Sequence, residues 1–163
     1  MKIAVFSDTH FDTETMRRVT EKLRPDAVFH LGDMVPDARA LHAAFPGIPL
    51  YHVAGNNDHD RDAEDTLEVE LGGKRLLLTH GHLFSVERGT AELFQYAHAR
   101  RCDAALFGHT HEAFARCRRG VWLLNPGRGG RRMPSPYPAT YGVLTLEDGR
   151  MRWELVETAE NDV

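Results

Sequence analysis

Apolar positions along the chain come in two spacings, and the two alternate. Lys2–Phe6, Ala27–Leu31 and Leu50–Ala54 are short apolar runs bounded by polar or turn residues, which read as β-strands. Between the first two, Met16, Val19 and Leu23 recur at i, i+3 and i+7, the spacing of one helix face, so a helix is expected over Thr13–Leu23. Asp12 or Thr13 would cap it and Pro25 would end it. A shorter helix is expected near Ala38–Phe45. This β-α-β-α-β order predicts parallel strands covered by helices.

After Ala54 the pattern changes. Thr66–Leu71 and Arg75–Thr79 read as two strands around the Gly72-Gly73 turn. Thr90–Arg100 reads as a helix burying Leu93, Phe94 and Ala97, and Ala104–Phe107 as the next strand. Ala113–Arg118, Val121–Leu124, Tyr141–Leu146 and Arg150–Glu157 read as short strands and hairpins, with Asp148-Gly149 a hairpin turn. The pattern therefore predicts an α/β protein in which two sheets pack together with helices outside. No repeat, low-complexity stretch or linker divides it, so one domain over residues 1–163 is expected.

Composition narrows the classes. Hydrophobic residues make up 42% and charged residues 27%, ordinary for a soluble protein. A formal net charge of −4 gives no general reason to bind nucleic acid or an acidic membrane. No run approaches the roughly 18 apolar residues of a membrane span. The apolar start Met1–Phe6 meets Ser7-Asp8 too soon for a signal peptide, so a cytoplasmic location is expected. Cys102 and Cys117 read as free thiols. Ten histidines change the picture, because five of them (His10, His80, His82, His109 and His111) fall inside three short motifs.

Each motif ends an apolar run. Asp8-Thr9-His10 follows the first strand, Gly32-Asp33 the second and Gly55-Asn56-Asn57-Asp58 the third. Thr79-His80-Gly81-His82 and Gly108-His109-Thr110-His111 follow the fifth and sixth. In α/β sheets those ends converge on the ligand-binding crevice, and adjacent strands are roughly 4.8 Å apart, close enough to share cations. Imidazoles, carboxylates and an amide oxygen, with no thiolate, suit Mn, Fe, Zn, Co or Ni. Alone, Asp-x-His is weak, Gly-Asp carries almost nothing and Gly-Asn-Asn-Asp reads as a turn. The paired histidines are stronger, and the set in this order after strands points to a metal centre.

These five segments, in this order and spacing, resemble the calcineurin-like metallophosphoesterase superfamily, and within it the small single-domain bacterial and archaeal phosphodiesterases. The resemblance runs from Met1 to about Leu146, because Leu124-Asn125-Pro126-Gly127 and Tyr141-Gly142-Val143-Leu144 match as well. It implies a four-layer α/β/β/α sandwich of two mixed sheets, with two divalent metal ions at the C-terminal strand ends, manganese foremost. Carried over, one metal would be held by Asp8, His10, Asp33 and His111, and the second by Asp33, Asn56, His80 and His109, with Asp33 bridging. Asp58 would orient a histidine or the Asn56 loop. His82 sits beside the site, either touching substrate or packing.

Two positions depart from the family pattern. Asn57 stands where relatives commonly carry His or Cys, which bears on protonation of the leaving group. Arg128 follows Asn-Pro-Gly where Ser is usual, which bears on substrate preference. The implied reaction is hydrolysis of a small phosphodiester by a hydroxide bridging the two metals. Ser7, Asp8 and His10 are too close along one strand end to form a nucleophilic triad. Gly127-Arg128-Gly129-Gly130 lacks the Lys-Ser/Thr and the helix of a phosphate-binding loop. The alternatives are a phosphomonoesterase or nuclease of the same fold, or a non-catalytic protein-interaction scaffold like the retromer subunit of this fold. No appended nucleic-acid module is evident, which speaks against a nuclease without excluding it. No membrane partner is expected, and the sequence does not decide between monomer and homo-oligomer.

Overall fold

The computed structural model describes residues 1–59, 62–132 and 134–158. In chain order the elements are β1 (Lys2–Phe6), α1 (Thr13–Leu23), β2 (Ala27–His30), α2 (Val35–Ala44), β3 (Leu50–His52), β4 (Thr66–Leu71) and β5 (Lys74–Thr79). A short 3₁₀ turn at His82–Phe84 follows. Then come α3 (Ala91–Ala99), β6 (Ala104–Leu106), β7 (Phe114–Arg118), β8 (Val121–Asn125), β9 (Thr140–Glu147) and β10 (Arg150–Glu157). One sheet runs β10-β9-β1-β2-β3 and the other β4-β5-β6-β8-β7. Both are mixed: β1, β2 and β3 are parallel in the first, β5, β6 and β8 in the second, with antiparallel strands at the flanks.

Side-chain alternation explains the layers. Ile3 and Val5 point between the sheets, where they meet Phe29, Leu31, Leu76, Leu78, Leu106 and Leu124. The intervening Ala4 and Phe6 point outward and pack under Met16 and Val19 of α1 and Leu41 of α2. On the far side Leu77, Ala105 and Leu123 pack under Leu93, Phe94 and Ala97 of α3. Strands buried on both faces need continuous apolar runs, which is what the central parallel strands carry. The result is the expected sandwich, helices outside and two sheets between.

Several boundaries differ from the sequence reading, most by a single residue. The strands β2 and β3 end at His30 and His52 rather than Leu31 and Ala54, because the chain then peels away into the loops described below. Helix α2 begins at Val35, three residues earlier than expected, with Pro36 in its first turn where a missing N–H breaks no helix bond. The 3₁₀ turn has no counterpart in the sequence reading, being too short to show a period.

His30 ends β2 with no exposed surface. Its Nε2 lies 3.1 Å from Thr9 Oγ1, and that hydroxyl spends its one proton on Asp37 Oδ2 at 2.7 Å. His30 Nε2 is therefore the donor, and the buried Nδ1 has no partner among the described residues. Burial holds the imidazole pKa down at about 4, against an ordinary 6.5, with the carboxylates of Asp58 and Asp8 opposing the shift. A depressed histidine keeps its full stabilising contribution above the unfolded pKa and loses it as the pH falls towards the folded one. At about 1.4 kcal/mol per unit, roughly 3 kcal/mol is at stake across this window. Urea denaturation of the metal-free protein between pH 7 and 4.5 should therefore lose about 2 kcal/mol more stability in wild type than in His30→Gln. Equal losses would show that His30 is not buried as a neutral ring.

Candidate metal centre

The loops leaving β1, β2 and β3 meet those leaving β5 and β6. Three hydrogen bonds tie them: Asp8 N–H donates to Gly32 O at 3.0 Å, Gly108 N–H to His80 O at 2.9 Å, and His109 N–H to Asp8 Oδ2 at 3.1 Å. The approach is close enough that a Cβ on Gly108 would collide with Ser7 Oγ. Gly129 N–H donates to Ser7 O at 2.6 Å, and a Cβ on Gly130 would collide with the Thr9 carbonyl oxygen. The Gly-Arg-Gly-Gly segment thus lies against the Asp8 loop, and its glycines permit that contact.

Two groups of candidate ligand atoms result, each with all atoms within 4.8 Å of one another: Asp8, His10 and His111, and Asp8, Asp33 and His80. His10 Nε2 and His111 Nε2 face each other at 3.4 Å. Asp8 Oδ1 lies 3.2 Å from His111 Nε2 and 3.9 Å from His80 Nε2. Asp33 Oδ2 is 3.6 Å from His80 Nε2, and Asn56 Oδ1 is 3.1 Å from the same nitrogen. The His109 ring centroid is 5.2 Å from that of His80. All seven residues named from the sequence as ligands therefore surround one crevice. By distance the carboxylate common to both groups is Asp8, whereas the sequence reading gave the shared place to Asp33.

The donor set fits divalent cations on several independent observations. Asp8 is buried, and its Oδ2 is occupied by the Ser7 hydroxyl at 2.6 Å and by the His109 N–H. Its Oδ1 has no hydrogen-bond partner among the described residues and looks at two imidazoles instead. His80 Nδ1 is 2.8 Å from Leu31 O, a carbonyl that can only accept, so its proton sits on Nδ1 and leaves the Nε2 lone pair aimed into the crevice. Asp8, His10, Asp33, His109 and His111 all have φ between 45° and 69°, a region that costs non-glycine residues about 1–2 kcal/mol each. Such strain gathers where side chains must be aimed rather than relaxed.

Charge follows geometry. Burial would raise the Asp8 carboxyl, but His111, His80 and the Ser7 hydroxyl outweigh it, and the net shift is downward. His111 is raised by its contact with Asp8, against desolvation. His82 and His109 are lowered, first by desolvation and then by the neighbouring imidazoles.

Asp58 is a tie rather than a ligand. Its Oδ2 accepts from Asp33 N–H at 3.0 Å and Gly55 N–H at 2.8 Å, and its Oδ1 from Val35 N–H at 2.7 Å. Asn57 turns two donors on Asp33, the backbone N–H to Oδ1 at 3.0 Å and a side-chain Nδ2–H to Oδ2 at 2.5 Å. His82 has a buried Nδ1 without a partner among the described residues, and its ring centroid is 5.5 Å from that of His80. Arg128 is buried, its Nε donating to Tyr137 O at 3.0 Å, and burial holds its pKa below the ordinary value. His59 is exposed, as are Arg116, Arg118 and Arg119 on β7 and its turn, with the Arg118 guanidinium over the Phe94 ring at 4.3 Å.

Sequence reasoning missed the residues that shape the first loop. Asp37 Oδ2 accepts from Thr9 Oγ1 and from Phe11 N–H, each at 2.7 Å. Asp12 caps α1 through Thr15 and also takes Arg131 N–H at 2.9 Å. A helix-start acid signals only its own cap, so contacts to residues over twenty or a hundred positions away left no local trace.

A family model for the calcineurin-like phosphoesterase superfamily domain matches residues 1–149. The chain is 29% identical over 166 residues to the probable metallophosphoesterase YsnB of Bacillus subtilis, covering 100% of this chain and 95% of the relative. It is 28% identical over 146 residues to a phosphodiesterase of Methanocaldococcus jannaschii, covering 78% and 83% of the two chains. A predicted phosphoesterase from Streptococcus pneumoniae superposes with a TM-score of 0.80 at 28% identity, over 96% of this chain and 88% of that one.

Removing the Asp58 carboxylate should disorganise two loops together. Asp58→Ala leaves three backbone N–H groups without an acceptor, and at about 1–3 kcal/mol per unsatisfied group a loss of at least roughly 2 kcal/mol is expected. Metal affinity measured by calorimetry should fall in parallel. Unchanged urea stability with unchanged affinity would show that water replaces the carboxylate.

Proposed function

The chain belongs to the calcineurin-like phosphoesterase superfamily, and from that premise we propose that it is a two-metal phosphodiesterase. The observation that carries this reading is Asp8 Oδ1, a buried carboxylate oxygen with no donor that faces His111 and His80. Asp8, His10 and His111 would hold one cation with Asp33, and Asp33, Asn56, His80 and His109 the other. Each Asp33 oxygen accepts one hydrogen bond from Asn57 and keeps lone pairs for such a bridging role. The oxygen and nitrogen donors favour manganese, iron, zinc, cobalt or nickel, with manganese proposed. Bound there, the cations would polarise the phosphoryl oxygens and lower the pKa of a water between them.

The chain's own groups set the rest. Asp8 and Asp33 fix the charge of the centre, which two divalent cations leave positive and so suited to a diester monoanion. Arg128, buried beside His111, would meet the non-bridging oxygens. Asn57 has no proton to give near neutral pH, and its backbone N–H and side-chain Nδ2 hold Asp33, so no acid stands at that position for the leaving group. That absence favours diesters with good leaving groups over alkyl esters and monoesters. A non-catalytic scaffold would not need a buried oxygen kept free of donors, and no specific observation favours it.

Two measurements test the reading. Purified protein loaded with manganese should bind about two equivalents, lose diesterase activity to chelator, and regain it on re-addition. Asp33→Asn should weaken both equivalents and His10→Ala mainly one. A single equivalent indifferent to Asp33→Asn would remove the bridging assignment.

The second measurement is a series of aryl phosphodiesters. The rate should depend steeply on leaving-group pKa in wild type and less steeply in Asn57→His, since general acids contribute about 10²–10⁴-fold. Arg128→Ala should lower kcat/KM about tenfold across the series. A flat wild-type dependence would place the acid elsewhere, and unaltered Arg128→Ala kinetics would put that side chain out of reach of the phosphate.

A further inference from the structure

Two grooves open from the candidate centre, one on each side of a single contact. The Tyr137 hydroxyl lies 3.5 Å from Glu112 Oε2, and both residues line both grooves. The larger groove, about 780 Å³, starts at His109, and the smaller, about 360 Å³, starts at His111. The two histidines that end one motif thus face different spaces, although their side chains serve one centre.

The walls differ in chemistry. In the larger groove the partly buried Phe114 forms an apolar floor, backed by the buried Phe107 with ring centroids 6.0 Å apart. Arg116 shares the β7 face of Phe114, two residues on, and Arg88 and Glu87 stand across the space. Donors and acceptors therefore ring an apolar base. A ring system carrying hydrogen-bonding groups satisfies both, whereas an acyl chain would desolvate the charges without pairing them. A second phosphate would meet the carboxylates of Glu87 and Glu112. The smaller groove is walled by Pro138 and Leu155, with Glu112 and Glu157 at its edges. Leu155 is 46% exposed and Tyr137 38%, large apolar surfaces that the fold itself leaves in water. That space suits a small uncharged group.

We infer that the two grooves are subsites for the two ester arms of an unsymmetrical phosphodiester, a nucleoside-class arm beside His109 and a small uncharged arm beside His111. The Tyr137–Glu112 contact divides them, so that the phosphate between the arms lies over the centre. This rests on the phosphodiesterase reading above and adds the substrate's shape to it. A monoester would leave one groove in water, and a long single-stranded nucleic acid would carry further phosphates past the Glu112 and Glu157 carboxylates.

The test compares manganese-loaded protein on thymidine 5′-(p-nitrophenyl) phosphate and on methyl p-nitrophenyl phosphate, with p-nitrophenyl phosphate as the monoester control. Arg116 is exposed and has no part in the core, so Arg116→Ala should fold. It should cut the kcat/KM preference for the thymidine ester by about tenfold, through KM, with Arg116→Lys intermediate. Leu155→Glu, in the smaller groove, should raise KM for both diesters. As a readout without turnover, titrating thymidine into metal-free protein should shift the Phe114 and Tyr137 ring resonances in wild type and not in Arg116→Ala. Diester hydrolysis with a preference unmoved by Arg116→Ala and KM values unmoved by Leu155→Glu would overturn the subsites and spare the phosphodiesterase reading. Hydrolysis of the monoester alone would overturn that reading and the subsites with it.

Discussion

A carboxylate oxygen buried without a donor is an expensive thing for a fold to keep, costing on the order of 1–3 kcal/mol or more for a charged group. Asp8 Oδ1 is such an atom. Ser7 and His109 fill the other oxygen, while the free one faces His111 Nε2 at 3.2 Å and His80 Nε2 at 3.9 Å, imidazoles that hold the carboxyl pKa down. Nothing in the apolar core requires that arrangement. The surrounding loops make sense as a frame built to hold that oxygen, three imidazole nitrogens and a second carboxylate at one point.

The frame is made of backbone N–H groups pulled onto carboxylates. Asp58 gathers the loops after β2 and β3, Asp37 gathers the turn after His10, and Asp12 takes in the Arg131 backbone from far along the chain. Each of these acids fixes backbone while the candidate ligands stay in strained φ. The division of labour is physical: hydrogen bonds to non-ligand acids offset the strain, and the ligand acids keep lone pairs free. Substituting a frame acid would therefore look like loss of a ligand, although it touches no cation.

Much of this was legible before any coordinates. The apolar runs of β1, β4 and β10 and the period of α1 carry strong local signals, and their limits coincide with the structure. Polar motifs after apolar runs located the crevice, because a parallel strand must release its chain at the C-terminal edge. What stayed illegible depends on long-range pairing. Thr9 with Asp37, Asp12 with Arg131, and the Gly-Arg-Gly-Gly segment against Ser7 join residues whose own neighbourhoods read as cap, turn or loop. Asn57 shows the same limit, since its residue type predicts a donor but not that its backbone and side chain both donate to Asp33.

The two sheets contribute unequally to the centre, and that has an energetic consequence. Asp8, His10, Asp33 and Asn56 follow strands of the first sheet, whereas His80, His109 and His111 follow strands of the second. Between them the sheets touch through apolar side chains, a contact that is non-directional and tolerates small slips. Ligands drawn from both sheets convert that contact at one edge into a set of directed bonds. Any cation bound there stabilises the native state by mass action, since the unfolded chain scatters the same seven side chains. Two direct hydrogen bonds between the sheets' loops at this edge, His109 N–H to Asp8 Oδ2 and His80 Nδ1–H to Leu31 O, are already in place without a cation. The crevice is therefore organised by the fold, and metal binding need only relieve Asp8 and the facing imidazoles rather than assemble them.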